Sequence, residues 1–361
     1  MDNLCLVTPT FNGGGAEKVI VNLANYYETQ SYKVEIIAFR AEGPYLSKVN
    51  SNINIIDLNS KKARYVFFKL YKLLKNKKYK YIISAMRDSN IPLGLVGYLQ
   101  KHNLIFREAN TMDVTNNLPF IKKNLYKFLM NLSYKKASKI IANSEDTLND
   151  LILNKIIDKN INAQVIGNPV LPIDVNDLLK EKITHKWFLD KNLKVIVSVG
   201  RLVEQKNYPL LLKAFNKALS MNNNLRLVIL GEGKLQKELS SLSNKLNIDD
   251  KFDILPFQSN PYPYFKNANL FVLSSNWEGF GNVIVESMAS STPIVSTNCI
   301  GGPKMILENG KYGSLVPVED VEVLCSTIIN NIKKPNLKQI ELAYNKSFYY
   351  NVKNIAKEYL K

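Results

Sequence analysis

At 361 residues the chain is long enough for two ordinary domains, and a hydrophobic content of 46% gives each a core, which excludes a fibrous or disordered protein. Its formal charge of +17, more of it in residues 1–170 than beyond, points to a polyanionic partner: nucleic acid, an anionic membrane or a phosphorylated substrate. Cys5, Cys299 and Cys325 stand far apart without a C-x-x-C pair, and only His102 and His185 accompany them, so neither a disulfide framework nor a zinc site is expected.

Short β-rich runs alternate with helical patterns along the whole chain, the sequence form of parallel sheets covered by helices. The first run, Leu4 to Thr8, is too short for a signal-peptide core and lacks a basic leader, and no run approaches the roughly 20 apolar residues of a membrane span. This reading predicts a protein of a reducing compartment, soluble or bound to a membrane only from the side. The first strand ends in Thr8-Pro9-Thr10-Phe11-Asn12-Gly13-Gly14-Gly15, and a helical pattern starts at about Gly15. Such glycines let backbone approach a ligand and aim helix amides at an anion, although the same stretch serves equally as a tight turn without a ligand. The spacing is not G-x-G-x-x-G, which argues against a nicotinamide fingerprint.

Further strands are predicted at Val34–Phe39, Ile53–Leu58, Tyr81–Ala85, Leu104–Arg107, Ile140–Asn143 and Ala163–Ile166. Seven strands in one half predict a doubly wound domain over residues 1–170. Two segments of this half stand out. Lys61 to Lys80 contains nine basic residues and no acid, interleaved with aromatic and aliphatic side chains, and Pro119 to Lys139 carries six lysines among Phe120, Tyr126, Phe128 and Tyr134. Basic, aromatic helices of this kind suit an anionic leaflet; they are equally compatible with apolar faces turned to the core and solvated lysines.

The pattern breaks at Gly167-Asn168-Pro169, and residues 171–192 read as an interdomain connection. A second alternating set, residues 193–335, has strands at Val195–Val199, Leu227–Leu230, Phe252–Leu255, Leu270–Ser274, Ile294–Ser296 and Ser314–Val316. Its first strand runs into Gly200-Arg201-Leu202-Val203-Glu204-Gln205-Lys206, which sets a guanidinium and an ammonium five residues apart at a strand's carboxyl end. There they can hold a diphosphate and neutralise it as it leaves, or simply be solvated loop cations. The strand Leu270–Ser274 leads into Trp277-Glu278-Gly279-Phe280-Gly281-Asn282-Val283, with Glu286 eight residues beyond Glu278 and a helix start expected near Phe280. Amides at that start can take phosphate oxygens, and the carboxylates can accept from sugar hydroxyls; the alternative is a helix-start charge and a surface residue. The stretch 336–361 follows Pro335, looks helical, and is expected to pack back on the first domain. The expected ligand site is the cleft between the two domains, beyond the carboxyl ends of both sheets.

On these motifs the chain resembles the retaining glycosyltransferases of family 4. They are Gly13-Gly14-Gly15-Ala16-Glu17, Asn143-Ser144, Asn168-Pro169, Gly200-Arg201 with Lys206-Asn207, Gly231-Glu232-Gly233, the pair Glu278 and Glu286, and Asn309-Gly310 with Gly313. The resemblance implies the GT-B fold, an α/β architecture of two Rossmann-like doubly wound parallel-sheet domains facing a central cleft. It implies an N-terminal acceptor domain and a C-terminal nucleotide-sugar domain. It further implies that Arg201 and Lys206 bind the donor diphosphate, Glu278 the transferred sugar and Glu286 the ribose. The Gly200 turn, Gly231, Gly279 and Phe280 belong to the same donor region. Backbone at Gly281 to Val283 meets the phosphates, Gly14 and Gly15 close over them, and the base sits near Pro256-Phe257. Where relatives often read Glu-His-Asn, this chain has Arg107-Glu108-Ala109-Asn110, so Glu108 or Asn110 is expected to stand in on the sugar or acceptor side. Where close relatives carry Glu after Gly-Pro and a basic residue, this chain has Met305.

No two aspartates lie two residues apart, so the Asp-x-Asp metal clamp is missing from the sequence, and activity without a divalent ion or other cofactor is expected. No residue stands out as an enzyme nucleophile, so front-face transfer with retained configuration is expected. The expected reaction moves a hexose or N-acetylhexosamine from a nucleotide sugar, with UDP as the expected carrier, to a polyprenyl-diphosphate-linked or lipopolysaccharide-core saccharide. The expected location is cytoplasmic, at the inner face of a bacterial membrane held through Lys61–Lys80 and Pro119–Lys139. A nucleic-acid-binding protein would also account for the charge but leaves Arg201, Lys206, Glu278 and Glu286 unexplained, so no nucleic acid partner is expected. A sugar-nucleotide epimerase is the nearer rival, since fold alone does not separate it from a transferase.

Overall fold

The computed structural model describes residues 2–60, 63–112 and 119–361, and the chain divides into two compact units. The first comprises residues 1–173 and 351–361, the second residues 174–350.

In the first unit the order is β1 (Asn3–Thr8), α1 (Gly15–Thr29), β2 (Lys33–Ala38), β3 (Asn54–Asp57), α2 (Ala63–Leu74), β4 (Tyr81–Ser84) and α3 (Arg87–Val96). It continues with β5 (Leu104–Glu108), α4 (Phe120–Tyr134), β6 (Ala137–Ala142), α5 (Glu145–Leu153) and β7 (Ala163–Val165). All strand pairs are parallel, in the order β3-β2-β1-β4-β5-β6-β7. Leu4 to Val7 of β1 are fully buried, as expected of a strand with helices on both faces of its sheet. The order reverses between β1 and β4, which opens a crevice at their carboxyl ends.

The second unit runs α6 (Val175–Leu178), α7 (Lys186–Leu189), β8 (Lys194–Val199), α8 (Tyr208–Met221), β9 (Leu225–Leu230), α9 (Gln236–Lys245), β10 (Phe252–Leu255) and α10 (Tyr262–Asn267). It ends with β11 (Leu270–Leu273), α11 (Asn282–Ala289), β12 (Ile294–Thr297), α12 (Gly302–Ile306), β13 (Ser314–Val316), α13 (Val321–Lys333) and α14 (Leu337–Ser347). Its sheet is likewise parallel, ordered β10-β9-β8-β11-β12-β13, and its reversal falls between β8 and β11. All thirteen strands anticipated from the sequence are present, with ends moved by a few residues.

Two divisions differ from the expected ones. Residues 174–192 group with the second unit, held by Asn260 Nδ2 donating to the Leu178 carbonyl at 2.9 Å and His185 Nε2 lying 3.1 Å from Asp253 Oδ2. The terminal stretch is also split. Helix α14 packs on α11 within the second unit, where Gln339 Nε2 donates to the Gly310 carbonyl at 2.8 Å. Only the last helix, α15 (Val352–Leu360), joins the first unit, receiving the Tyr27 hydroxyl at the Ala356 carbonyl at 2.8 Å and Lys139 Nζ at the Glu358 carbonyl at 2.7 Å. No helix among the described residues is long and apolar enough to cross a membrane.

Candidate active site

The loops that leave β8 and β11 flank the reversal of the second sheet, and they are laced together by hydrogen bonds to backbone carbonyls. Ser274 Oγ donates to the Lys206 carbonyl at 2.8 Å, Asn276 N to the Gln205 carbonyl at 2.8 Å, and Gln205 Nε2 to the Trp277 carbonyl at 2.9 Å. Asn207 has two parts. In a left-handed turn of φ 43° it caps α8, its Oδ1 accepting from Leu210 N at 3.3 Å, while its Nδ2 donates to Asn276 Oδ1 at 2.8 Å. An Asn with Pro209 two residues on is a readable helix start, and it fixes where Lys206 leaves the loop.

Lys206 and Glu278, 72 residues apart, meet here with Nζ 2.5 Å from Oε1, their side chains 12% and 7% exposed. The Ser275 hydroxyl donates to the same Oε1 at 2.6 Å, and no donor among the described residues bonds Oε2. Arg201 is exposed on the same loop, with no ion-pair partner among the described residues. A third loop completes the plate. Thr297 Oγ1 donates to the Ser275 carbonyl at 2.6 Å, and Glu278 N donates to the Ile300 carbonyl at 3.0 Å. That approach requires Gly301, whose φ is +112° and whose added Cβ would lie 2.0 Å from the Glu278 carbonyl oxygen. Burial and the nearby Glu278 charge push the adjacent Cys299 thiol up to about 12, so it stays protonated at neutral pH.

Helix α11 starts at Asn282, two residues later than expected, because Gly281 in a left-handed turn of φ 93° keeps Phe280 outside the helix. Gly281 stands at its cap position and offers no side chain to the first turn. Glu286 is buried on this helix, and Phe280 is buried edge-on to Tyr350 with ring centroids 5.5 Å apart. On the other side of β8, Gly231 packs against the Gly200 turn, and the Glu232 carboxylate accepts from Phe257 N at 3.2 Å. Glu232 thereby holds the Pro256-Phe257 loop.

Arg201, Lys206, Glu278, Gly279, Phe280, Gly281, Asn282, Val283 and Glu286 thus come from two loops at one sheet reversal and the helix that follows it, with Gly200, Gly231, Pro256 and Phe257 on the neighbouring strand ends. Sequence reasoning missed Gln205, Ser275 and Thr297 and gave Asn207 and Glu232 no role beyond their motifs; all five are polar residues with partners on other strand ends.

Gly14, Gly15, Glu108 and Asn110 are in the first unit. Gly14 caps α1 at φ −87°, which any residue adopts, so its backbone conformation does not demand glycine. Glu108, expected to face a sugar or acceptor, is 1% exposed, is ion-paired with Arg87, and has its two oxygens accepting from within, from Ala109 N and the Tyr134 hydroxyl. It braces the turn, and Asn110 is left as the half-buried residue with a free side-chain amide among the described residues.

Family models match both units: Glycosyltransferase Family 4 over residues 13–170 and Glycosyl transferases group 1 over residues 180–347. A Campylobacter jejuni protein named N-acetylgalactosamine-N,N'-diacetylbacillosaminyl-diphospho-undecaprenol 4-alpha-N-acetylgalactosaminyltransferase is 34% identical over 220 residues, covering 61% of this chain and 58% of the relative. Another from the same organism, named GalNAc-alpha-(1->4)-GalNAc-alpha-(1->3)-diNAcBac-PP-undecaprenol alpha-1,4-N-acetyl-D-galactosaminyltransferase, is 24% identical, covering 100% of this chain and 98% of the relative. The matched stretch spans only about three fifths of the first two curated relatives, 58% and 61% of their lengths. Among solved structures, Anabaena Alr3699/HepE in complex with UDP and glucose superposes with a TM-score of 0.80 at 19% identity, covering 98% of this chain and 97% of that one. WaaG, a glycosyltransferase involved in lipopolysaccharide biosynthesis, superposes at 0.78 with 13% identity, covering 99% and 98%. These neighbours share the two-domain GT-B fold.

Proposed function

The chain belongs to the glycosyltransferases of family 4 and group 1, and from that premise we propose that it transfers a hexose or N-acetylhexosamine from a UDP-sugar to a lipid-linked saccharide. The observation that carries this reading is the grouping of Arg201, Lys206 and Glu278 with the start of α11 at the reversal of the second sheet. In this reading the diphosphate lies against Arg201, Lys206 and the first amides of α11. Its growing negative charge is stabilised by groups already in place, with no reorganisation at the moment of bond cleavage. Glu278, already anchored by Ser275 through Oε1, turns its second oxygen to a sugar hydroxyl, and Glu286 holds the ribose. The base packs on the Pro256-Phe257 loop. Fixed cations take the part of a metal ion; with no enzyme nucleophile assigned, the acceptor hydroxyl attacks from the face the diphosphate departs, passing its proton to the leaving phosphate, so the configuration is retained. The relatives named for undecaprenol-linked acceptors and the complex with UDP support the choice of acceptor and donor classes.

The test is nucleotide release from UDP-, GDP- and ADP-sugars with EDTA present and detergent-dispersed lipid-linked acceptors. Release from a UDP-sugar that survives EDTA, with the product anomer matching the donor, is expected. Absence of both release and nucleotide binding would sink the transferase reading in favour of a binding protein.

The same proposal sets the enzyme on an anionic membrane at the cytoplasmic face, and the two basic segments carry it unequally. Val66, Leu70 and Leu74 of α2 point into the core; Tyr65 and Phe68 are exposed, and Lys61 and Lys62 lie outside the described residues. Helix α4 by contrast leaves Phe120, Ile121, Leu125 and Phe128 between 56% and 80% exposed, flanked by Lys122, Lys123 and Lys127. Each cation adds about 1 kcal/mol near an anionic surface, and each inserted apolar side chain about 1.5–3 kcal/mol. The double substitution Ile121→Glu with Phe128→Glu should therefore lower partitioning onto phosphatidylglycerol vesicles by at least about tenfold in a sedimentation assay. Unchanged binding would remove α4 from the membrane surface.

A further inference from the structure

The first unit buries a polar cluster at the carboxyl ends of β4 and β5. Glu108 is the last residue of β5, Arg87 the first of α3, and Tyr134 the last of α4, and all three are buried. Arg87 Nε lies 2.9 Å from Glu108 Oε1, and the Tyr134 hydroxyl donates to Glu108 Oε2 at 2.7 Å. The same Glu108 Oε1 accepts from Ala109 N at 2.9 Å and from Asn110 N at 3.4 Å, while Arg87 Nη2 donates to the Asn110 carbonyl. Asn90 Nδ2 steadies the set, donating to Tyr134 Oη at 2.9 Å and to the Arg107 carbonyl at 3.1 Å. Burial pushes Tyr134 well above its ordinary value, with the Glu108 charge adding to it, so the phenol stays a donor. Burial, the largest single influence on Arg87, would depress it, but the Glu108 charge and hydrogen bond together with Tyr134 and Tyr126 hold the guanidinium above its ordinary value.

A buried ion pair is weak evidence for stability, because desolvation cancels much of the attraction, and its best-attested use is to fix one geometry. Here every bond of the pair converges on one turn, Glu108 to Asn110. That turn sits at the sheet's carboxyl edge and presents a side-chain amide with no partner among the described residues. An amide offers both donors and an acceptor, which suits a sugar hydroxyl.

We propose that Arg87, Glu108 and Tyr134 are positioning residues that lock the Glu108–Asn110 turn so that the Asn110 side chain contacts the saccharide acceptor. This rests on the transferase reading above and deepens it, by assigning acceptor contact to Asn110 and its placement to a buried clamp. The clamp acts on acceptor binding and leaves donor cleavage alone.

The test is steady-state kinetics with a polyprenyl-diphosphate-linked N-acetylhexosamine as acceptor. Tyr134→Phe removes one hydroxyl without opening a cavity, and should raise acceptor KM about fivefold to tenfold. Its kcat, its donor KM and the slow nucleotide release to water without acceptor should stay within about twofold of wild type. Asn110→Ala should raise acceptor KM at least as much. The Tyr134→Phe/Asn110→Ala double variant should be no worse than Asn110→Ala alone, because the clamp acts through that side chain. Glu108→Gln, which retains an acceptor oxygen, should fall between wild type and Glu108→Ala. Additive losses in the double variant, or an acceptor KM unmoved in Tyr134→Phe at wild-type Tm, overturn the proposal. A wild type that releases nucleotide to water but makes no product with this acceptor overturns it too, whereas one that cleaves no nucleotide sugar overturns the transferase reading beneath it.

Discussion

Lys206→Ala is expected to slow sugar transfer by about 10²- to 10³-fold, the usual loss when one preorganised donor to a developing anion is removed. Two effects combine in that variant. The ammonium no longer meets the leaving diphosphate, and Glu278, 7% exposed, loses its charge partner and keeps only the Ser275 hydroxyl on Oε1. Stranding one member of a buried pair costs about 3–5 kcal/mol of stability, so Tm should fall together with the rate. The two effects separate in Lys206→Ala/Glu278→Gln. Neutralising the stranded carboxylate should restore most of the Tm, while single-turnover nucleotide release stays low. Lys206→Arg keeps the charge but changes its shape and reach, and should recover part of the rate. A Lys206→Ala enzyme within about threefold of wild type would show that the diphosphate charge is met elsewhere, with Arg201 the first candidate.

Gly301→Ala should be strongly destabilising for a single added methyl. The added Cβ would stand 2.0 Å from the Glu278 carbonyl oxygen and 2.8 Å from its carbonyl carbon, on backbone whose φ of +112° disfavours any other residue. Backbone cannot rotate aside as a side chain can, so the loop after β12 must separate from Glu278 and the Glu278 N to Ile300 carbonyl bond must break. Together these predict a loss of about 2–4 kcal/mol and a fall in transfer rate, because Glu278 moves with its main chain. Gly310→Ala isolates the conformational part. Its φ is +100°, but nothing lies within 4 Å of its added Cβ, so about 1 kcal/mol is expected there. Thermal unfolding of both variants gives the comparison. Equal losses would mean that the close approach at Gly301 relaxes at little cost, and that the site does not depend on it.

The sequence by itself determined the elements and the chemistry that leaves them. Alternation of period 2 and 3.6 is a local property, so thirteen strands and the loops at their carboxyl ends were readable without knowing any contact. Arg201, Lys206 and Glu278 were readable for the same reason: each lies in the loop that follows a strand, with Glu286 on the helix after it, and parallel strands deliver such loops to one edge of a sheet. Tertiary structure alone decided which of these side chains meet. The Lys206–Glu278 pair spans 72 residues, and it closes only because β8 and β11 are neighbours at the sheet reversal and Ser274, Gln205, Asn207 and Asn276 tie their loops together. It also decided exposure. Glu108 and Asn110 differ little as letters in one turn, yet Arg87 and Tyr134 enclose the carboxylate and leave the amide open. The same holds for the two basic helices, alike in composition: α2 turns Val66, Leu70 and Leu74 into the core, and α4 turns Ile121, Leu125 and Phe128 outward. Local propensity depends on neighbours in the chain, whereas burial and charge pairing depend on neighbours in space, and only the folded sheets supply those.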